Sequence, residues 1–249
     1  MRLLKCFLLA IVTLWMAAGA QAGEAPCETP AACNAQGSKA YQAKRYSQAI
    51  KAFELQLRYA ERYADDAEPD RSEVELALNN LMLTQLRMGR PGMARAWMWV
   101  ALHSGLGGEK TLFNAGEIEK AYGTSVTTGW EGHYVSYGGA AQWNQLDIRR
   151  DTTGFQADFA VMRIGNLNVF DGWAPHVVGG LSVSLVTDGP IAQVPAEQLR
   201  DLGSDCRIVL IQERADIQVT ERFADGCQDY GGAGVTVAGT WYKVEAPPR

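Results

Sequence analysis

Histidine is scarce in this chain, three among 249 residues, and none stands in an HExxH frame or beside a CxxC pair. That scarcity removes the commonest metal ligand and general base from most of the sequence. No GxSxG turn surrounds a serine. Gly107-Gly108-Glu109-Lys110-Thr111 lacks the GxxxxGK spacing of a phosphate loop, and a GxGxxG pattern from Gly232 would need glycine where Val237 stands. Basic runs are missing as well. With 23 Lys and Arg against 28 Asp and Glu, the net charge is −5, which argues against nucleic acid or an anionic membrane surface as a partner. Long apolar runs are also absent. The longest, Phe7 to Ala18, falls well short of the roughly 20 residues that cross a bilayer core. No cofactor and no metal is called for, and an enzyme is not expected.

That short apolar run has a specific setting. Arg2 and Lys5 precede it, and Ala20-Gln21-Ala22 follows, small residues suited to a signal peptidase. Residues 1–22 therefore read as a cleavable signal peptide, with the mature chain beginning at Gly23, in the periplasm or outside the cell, and no membrane span after cleavage. Cys27 follows Glu24-Ala25-Pro26 and lacks a lipobox context. Losing Arg2 and Lys5 takes the charge to −7. Four cysteines remain: Cys27, Cys33, Cys206 and Cys227. An even number in an exported chain points to disulfides; three pairings are open, and proximity favours Cys27–Cys33 and Cys206–Cys227.

The hydrophobic period changes once along the mature chain. Residues 23–122 repeat apolar side chains at three- and four-residue spacing, as in Tyr46, Ala49, Ile50, Phe53 and Leu57. Breaks at Pro69, Gly89, Pro91-Gly92 and Gly105 to Gly108 divide this half into helices expected near 31–43, 46–66, 70–88, 91–103 and 109–121. Residues 129–249 alternate instead, as in Leu146-Asp147-Ile148, Phe155 to Phe159, Leu181 to Leu185 and Ile217-Gln218-Val219. Arg207 to Ile211 is more continuously apolar, as a strand covered on both faces would be. The fold class is α+β, helical hairpins followed by an antiparallel beta barrel or sandwich, with a linker at 123–128.

Gly37, Tyr41, Tyr46, Ala49, Ile50, Phe53 and Leu57 fit GxxxYxxxxYxxAIxxFxxxL, which resembles a tetratricopeptide repeat. A second unit carries Leu81, Gly89, Ala94, Met98, Ala101 and Leu102. Ala49 and Ala94 lie 45 apart rather than the usual 34 or so, so the helices around Asp65 to Arg71 are expected to be longer. Gln56 and Met98 depart from the pattern. Such repeats present a concave face to a protein segment, and two units give a shallow groove that a fifth helix would cap. The exposed residues this resemblance suggests are Asn79, Asn80, Gln85 and Arg87, with the paired amides suited to an extended backbone. Trp97 and Trp99 read as packing residues.

The strand half is similar, through Cys206, Cys227, Gly231-Gly232-Ala233-Gly234-Val235 and Gly239-Thr240-Trp241-Tyr242-Lys243, to small periplasmic beta domains ending in CGxGxxxxGxYxK, some from lysozyme-inhibitor groups. Gly231 stands where a second cysteine belongs, and no cleft-inserting motif is recognisable. The function expected is a non-catalytic adaptor for a protein or peptide partner in the cell envelope. The alternative is an inhibitor or ligand-binding beta domain with accessory helices. Oligomeric state is not read from the sequence.

Overall fold

The computed structural model describes residues 27–62, 71–123, 128–152, 154–163, 176–202, 206–222, 227 and 236–245. The expected signal peptide, residues 63–70, most of the linker and the glycine run at 231–234 lie outside them. Five helices come first: α1 (Pro30–Gln42), α2 (Tyr46–Arg62), α3 (Arg71–Arg87), α4 (Pro91–His103) and α5 (Glu109–Gly123). Eight strands follow: β1 (Gly132–Gly139), β2 (Gln142–Asp151), β3 (Gly154–Arg163), β4 (His176–Asp188), β5 (Ile191–Gln193), β6 (Arg207–Glu213), β7 (Asp216–Arg222) and β8 (Gly239–Glu245). They form one closed antiparallel barrel in sequence order, β8 pairing back onto β1. Barrel, rather than sandwich, is the outcome.

The helices start where the chain supplies start signals. Thr29 accepts a hydrogen bond from the Ala32 N–H at 3.2 Å, and Pro30 follows as the first helical residue. Pro91 opens α4 in the same way. The α5 N-terminus receives a carboxylate from elsewhere: Glu75 accepts from the Gly108 N–H at 3.1 Å, favourable at the positive end of a helix dipole. Each helix packs mainly on its sequence neighbours, and α3 also meets α5. Gly37 is required by this stacking. A Cβ there would lie 2.4 Å from Phe53, so the ring sits flush on the α1 backbone. Ala49, Phe53, Leu57 and Ala60 bury the facing stripe of α2.

In the barrel the two-residue period decides which side chains enter. Tyr134, Leu146, Ile148, Ala157, Phe159, Val183, Leu210, Ile217 and Trp241 fill the interior. Arg207 to Ile211 does not have both faces covered. Ile208 and Leu210 point inward, whereas Val209 and Ile211 are half-buried, the ordinary alternation of a barrel strand.

Both proximity pairings of the cysteines form, Cys27–Cys33 and Cys206–Cys227. The first ties the segment before α1 to that helix. The second closes the open end of the β6–β7 hairpin, whose other end turns through Arg214 and Ala215. In the chain-entropy model, closing a loop of that size contributes about 3 kcal/mol. No helix among the described residues is long and apolar enough to cross a membrane.

Candidate functional site

The four residues expected on an exposed groove take different positions. Asn79 is only 4% exposed and Gln85 only 5%, so neither faces solvent. α5 packs across this part of α3, and Asn79 is its anchor. Its amide donates to the Glu75 carbonyl at 2.9 Å and to Thr111 at 3.1 Å, while its carbonyl accepts from Asn114 at 2.9 Å. Asn80 is half-buried and donates to Asn34 on α1 at 2.9 Å. Arg87 is exposed, and its Nε donates to the Tyr41 hydroxyl at 3.2 Å. The structure therefore joins Asn80 and Arg87, with α1, into one face and withdraws Asn79 and Gln85 from it. Along α3, Leu76, Asn80, Leu83 and Arg87 follow one another at four-, three- and four-residue spacing, a single stripe. Leu83, 37% exposed, lies between the two polar bridges to α1.

Gln56, a departure from the repeat pattern, is fully buried beside this face. It donates to Glu73 at 3.1 Å, and its carbonyl accepts a weaker contact from Asn80 at 3.5 Å. A polar network thus links α1, α2 and α3.

The opposite side of the helices is occupied by the barrel. α4 runs along β8, so closely that a Cβ on Gly92 would lie 2.2 Å from the Val244 carbonyl oxygen. Met93, Ala96 and Trp99 pack on Val135, Tyr242 and Val244. One ion pair is buried within this contact. Arg95 donates to both carboxylate oxygens of Asp216, at 2.9 and 2.7 Å, and to Glu119 at 3.3 Å. Its guanidinium also lies 4.5 Å from the Tyr122 ring centre. Asp216 in turn accepts the Lys243 backbone N–H at 3.1 Å.

The barrel ending noted in the sequence is explained by this arrangement. Trp241 fills the interior and donates its indole N–H to the Val237 carbonyl at 2.8 Å. Tyr242 faces outward, its hydroxyl 2.9 Å from His103 Nδ1 and pushed up to about 12 by burial. Lys243 turns inward, fully buried, and its Nζ donates to the Gly129 carbonyl at 2.8 Å. Burial lowers its pKa.

A second contact crosses to α2. The β1–β2 hairpin turns through Ala140 and Ala141, at φ +47° and +58°, the left-handed region that a two-residue hairpin of this kind requires. Glycine or asparagine usually fills such positions, and alanine there costs about 1–2 kcal/mol per residue. The reason for alanine is visible at Ala141, whose methyl is buried in the helical core together with Tyr137, Trp97 and Trp143. Those three rings meet edge to face, with centroids 4.6 to 5.7 Å apart. Tyr137 donates its hydroxyl proton to Glu61 at 2.6 Å and accepts the Ala141 N–H at 3.1 Å, while Arg58 donates to the Ala140 carbonyl at 3.3 Å.

The contacts of Arg95, Tyr137, Trp143 and Asp216 were not found by sequence reasoning. A signal was present. Tyr242 and Val244 are apolar on the face that should be polar if Trp241 points inward, so β8 is apolar on both sides. His133 lies 2.9 Å from Asp147 on the barrel exterior, within a cross-strand row His133, Asp147, Asp158, Ser182. Nothing in that row adds a further histidine, and among the described residues no cluster suited to a metal ion occurs.

No protein-family model matches the chain, and no curated protein or solved structure does either.

Proposed function

We propose that this is an exported envelope protein that binds another protein, with a tetratricopeptide-like helical unit as a non-catalytic adaptor and a barrel that fixes that unit in place. The observation that carries the reading is the α1–α3 face. β8 covers α4 and the β1–β2 hairpin meets the C-terminal part of α2, while α3 presents an apolar side chain, Leu83, between the polar Asn80–Asn34 and Arg87–Tyr41 bridges. A half-exposed leucine flanked by amide and guanidinium donors suits an extended segment carrying an apolar side chain and backbone or carboxylate acceptors. The two disulfides suit an oxidising compartment, in keeping with the amino-terminal segment read as a signal.

The test is capture of partners from envelope extract by the whole mature chain, Gly23 to Arg249, beside Leu83→Glu/Arg87→Glu. Loss of a specific partner in the double variant, with the melting temperature unchanged, supports the adaptor reading. Retention of that partner overturns it. The alternative, a barrel-borne inhibitor or ligand site, is then examined with Asp158→Ala/Ser182→Ala on the outer strand face.

A further inference from the structure

We infer that the β1–β2 hairpin is a releasable latch between the two units, a tip seated against α2 and held by the Glu61–Tyr137 hydrogen bond. Three observations at one place lead there. First, Ala140 and Ala141 both occupy left-handed backbone, although neither is glycine. The two-residue turn imposes that backbone whether or not the tip is seated, so the alanines mark a tip built to seat the Ala141 methyl rather than to turn easily. Second, beside the apolar seat of Ala141 and the aromatic cluster, polar contacts tie the tip to α2: Tyr137 to Glu61 and Arg58 to the Ala140 carbonyl. Third, among the described residues the indole nitrogens of Trp97 and Trp143 at the seat are buried with no hydrogen bond. Buried groups of that kind cost stability in the closed arrangement, and exposure to water on opening satisfies them. Desolvation thus favours release, against the aromatic packing that favours closure.

Glu61 gives the latch a pH dependence. Glu54, Arg58 and Glu61 share one face of α2, and Lys51 lies a turn before Glu54. From the barrel side Glu61 meets the Tyr137 hydroxyl and the Ala140 backbone, and the Tyr137 ring in turn packs on the uncharged Trp97 of α4. Burial raises the Glu61 carboxyl above its ordinary range and outweighs Tyr137, Ala140 and Arg58, which pull it down. Undocked, the carboxyl returns to its ordinary value. Closure is therefore strongest below the usual carboxylate range and weakens as pH rises through the raised value. Glu54, pushed up to about 7 by burial, is a second raised carboxyl on the same face and is the group to separate from it.

The experiment is amide hydrogen exchange of the full chain at pH 5.5 and pH 8, corrected for intrinsic exchange, comparing residues 136–144 with β6 and β7. The hairpin is expected to exchange faster than β6 and β7 at pH 8, and to approach them at pH 5.5. Glu61→Gln keeps the acceptor for Tyr137 without the charge and should remove the pH difference, leaving any Glu54 effect behind. Tyr137→Phe should speed hairpin exchange about tenfold or more at both pH values, the size expected for losing a buried hydrogen bond. Exchange of the hairpin in step with β6 and β7 in the unaltered chain at both pH values overturns the latch, because the tip then opens only on global unfolding. A pH difference that survives in Glu61→Gln overturns the role of Glu61.

Discussion

Replacing Arg95 with methionine removes the Arg95–Asp216 ion pair buried between helices and barrel while keeping most of the side-chain volume. An exposed pair would contribute about 0–1 kcal/mol, so the location decides the size of the effect. The Arg95 and Asp216 side chains are 8% and 13% exposed, and both guanidinium contacts are bidentate at 2.9 and 2.7 Å. Breaking such a pair by removing one partner leaves the other charge buried alone, a cost of about 3–5 kcal/mol. Glu119, 47% exposed, can turn to water and adds little. For a chain of this length the loss corresponds to a melting temperature lower by roughly 6–20 °C. Asp216→Asn retains an acceptor for the Lys243 N–H and discards the charge. The double variant Arg95→Met/Asp216→Asn should therefore lose less than the two single losses added, with a coupling of about 1–3 kcal/mol in urea titrations. A loss under about 1 kcal/mol for Arg95→Met, additive with Asp216→Asn, would show that the pair behaves as an exposed one and that the interface rests on the aromatic packing alone.

Two further substitutions probe the close approaches. Gly92→Ala places a methyl 2.2 Å from backbone oxygen, which cannot swing aside, so α4 and β8 must separate; a loss of at least about 1–3 kcal/mol by thermal denaturation is expected. Gly116→Ala on α5 is the internal control: nothing lies within 4 Å, and the change should stabilise by about 0.5–1 kcal/mol through helix propensity. Cys206→Ser/Cys227→Ser should lower stability by about 3 kcal/mol while far-ultraviolet circular dichroism keeps the barrel signal, and a barrel lost altogether would refute a purely supporting role for this disulfide.

The helix boundaries were legible because the chain punctuates them with short-range signals. Thr29-Pro30, Pro91-Gly92 and the glycines at 105 to 108 each act within a turn of their own position. Strand faces were legible for the same reason, and so were the disulfides, where proximity and compartment agree. What the sequence hid lies between elements far apart in the chain. Arg95 and Asp216 are 121 residues apart, Tyr137 and Glu61 76, and neither pair has a local pattern. Asn79 shows the same limit from the other side. On α3 alone its amide belongs to a polar stripe, and only the packing of α5, through Thr111 and Asn114, turns it inward. Ala140-Ala141 carries no turn signal, because the tertiary seat of the Ala141 methyl overrides the local preference for glycine.

That distribution of long-range contacts bears on where a partner can sit. An isolated helical half would expose Met93, Ala96, Trp97 and Trp99 and leave Arg95 without Asp216; an isolated barrel would expose Val135, Tyr137, Trp143, Tyr242 and Val244. Each half would present a large apolar face that the whole chain covers, and such faces associate with many proteins for that reason alone. Binding measured on separated halves would then report the interface, not the function. In the whole chain the same reasoning narrows the choice. β8 lies on α4 and the hairpin meets the C-terminal part of α2, so a partner held without opening the latch has α1 and α3, or the exposed Leu112 and Phe113 of α5, to meet. One that needs the latch open should bind more tightly as pH rises, and the pH dependence of capture separates the two.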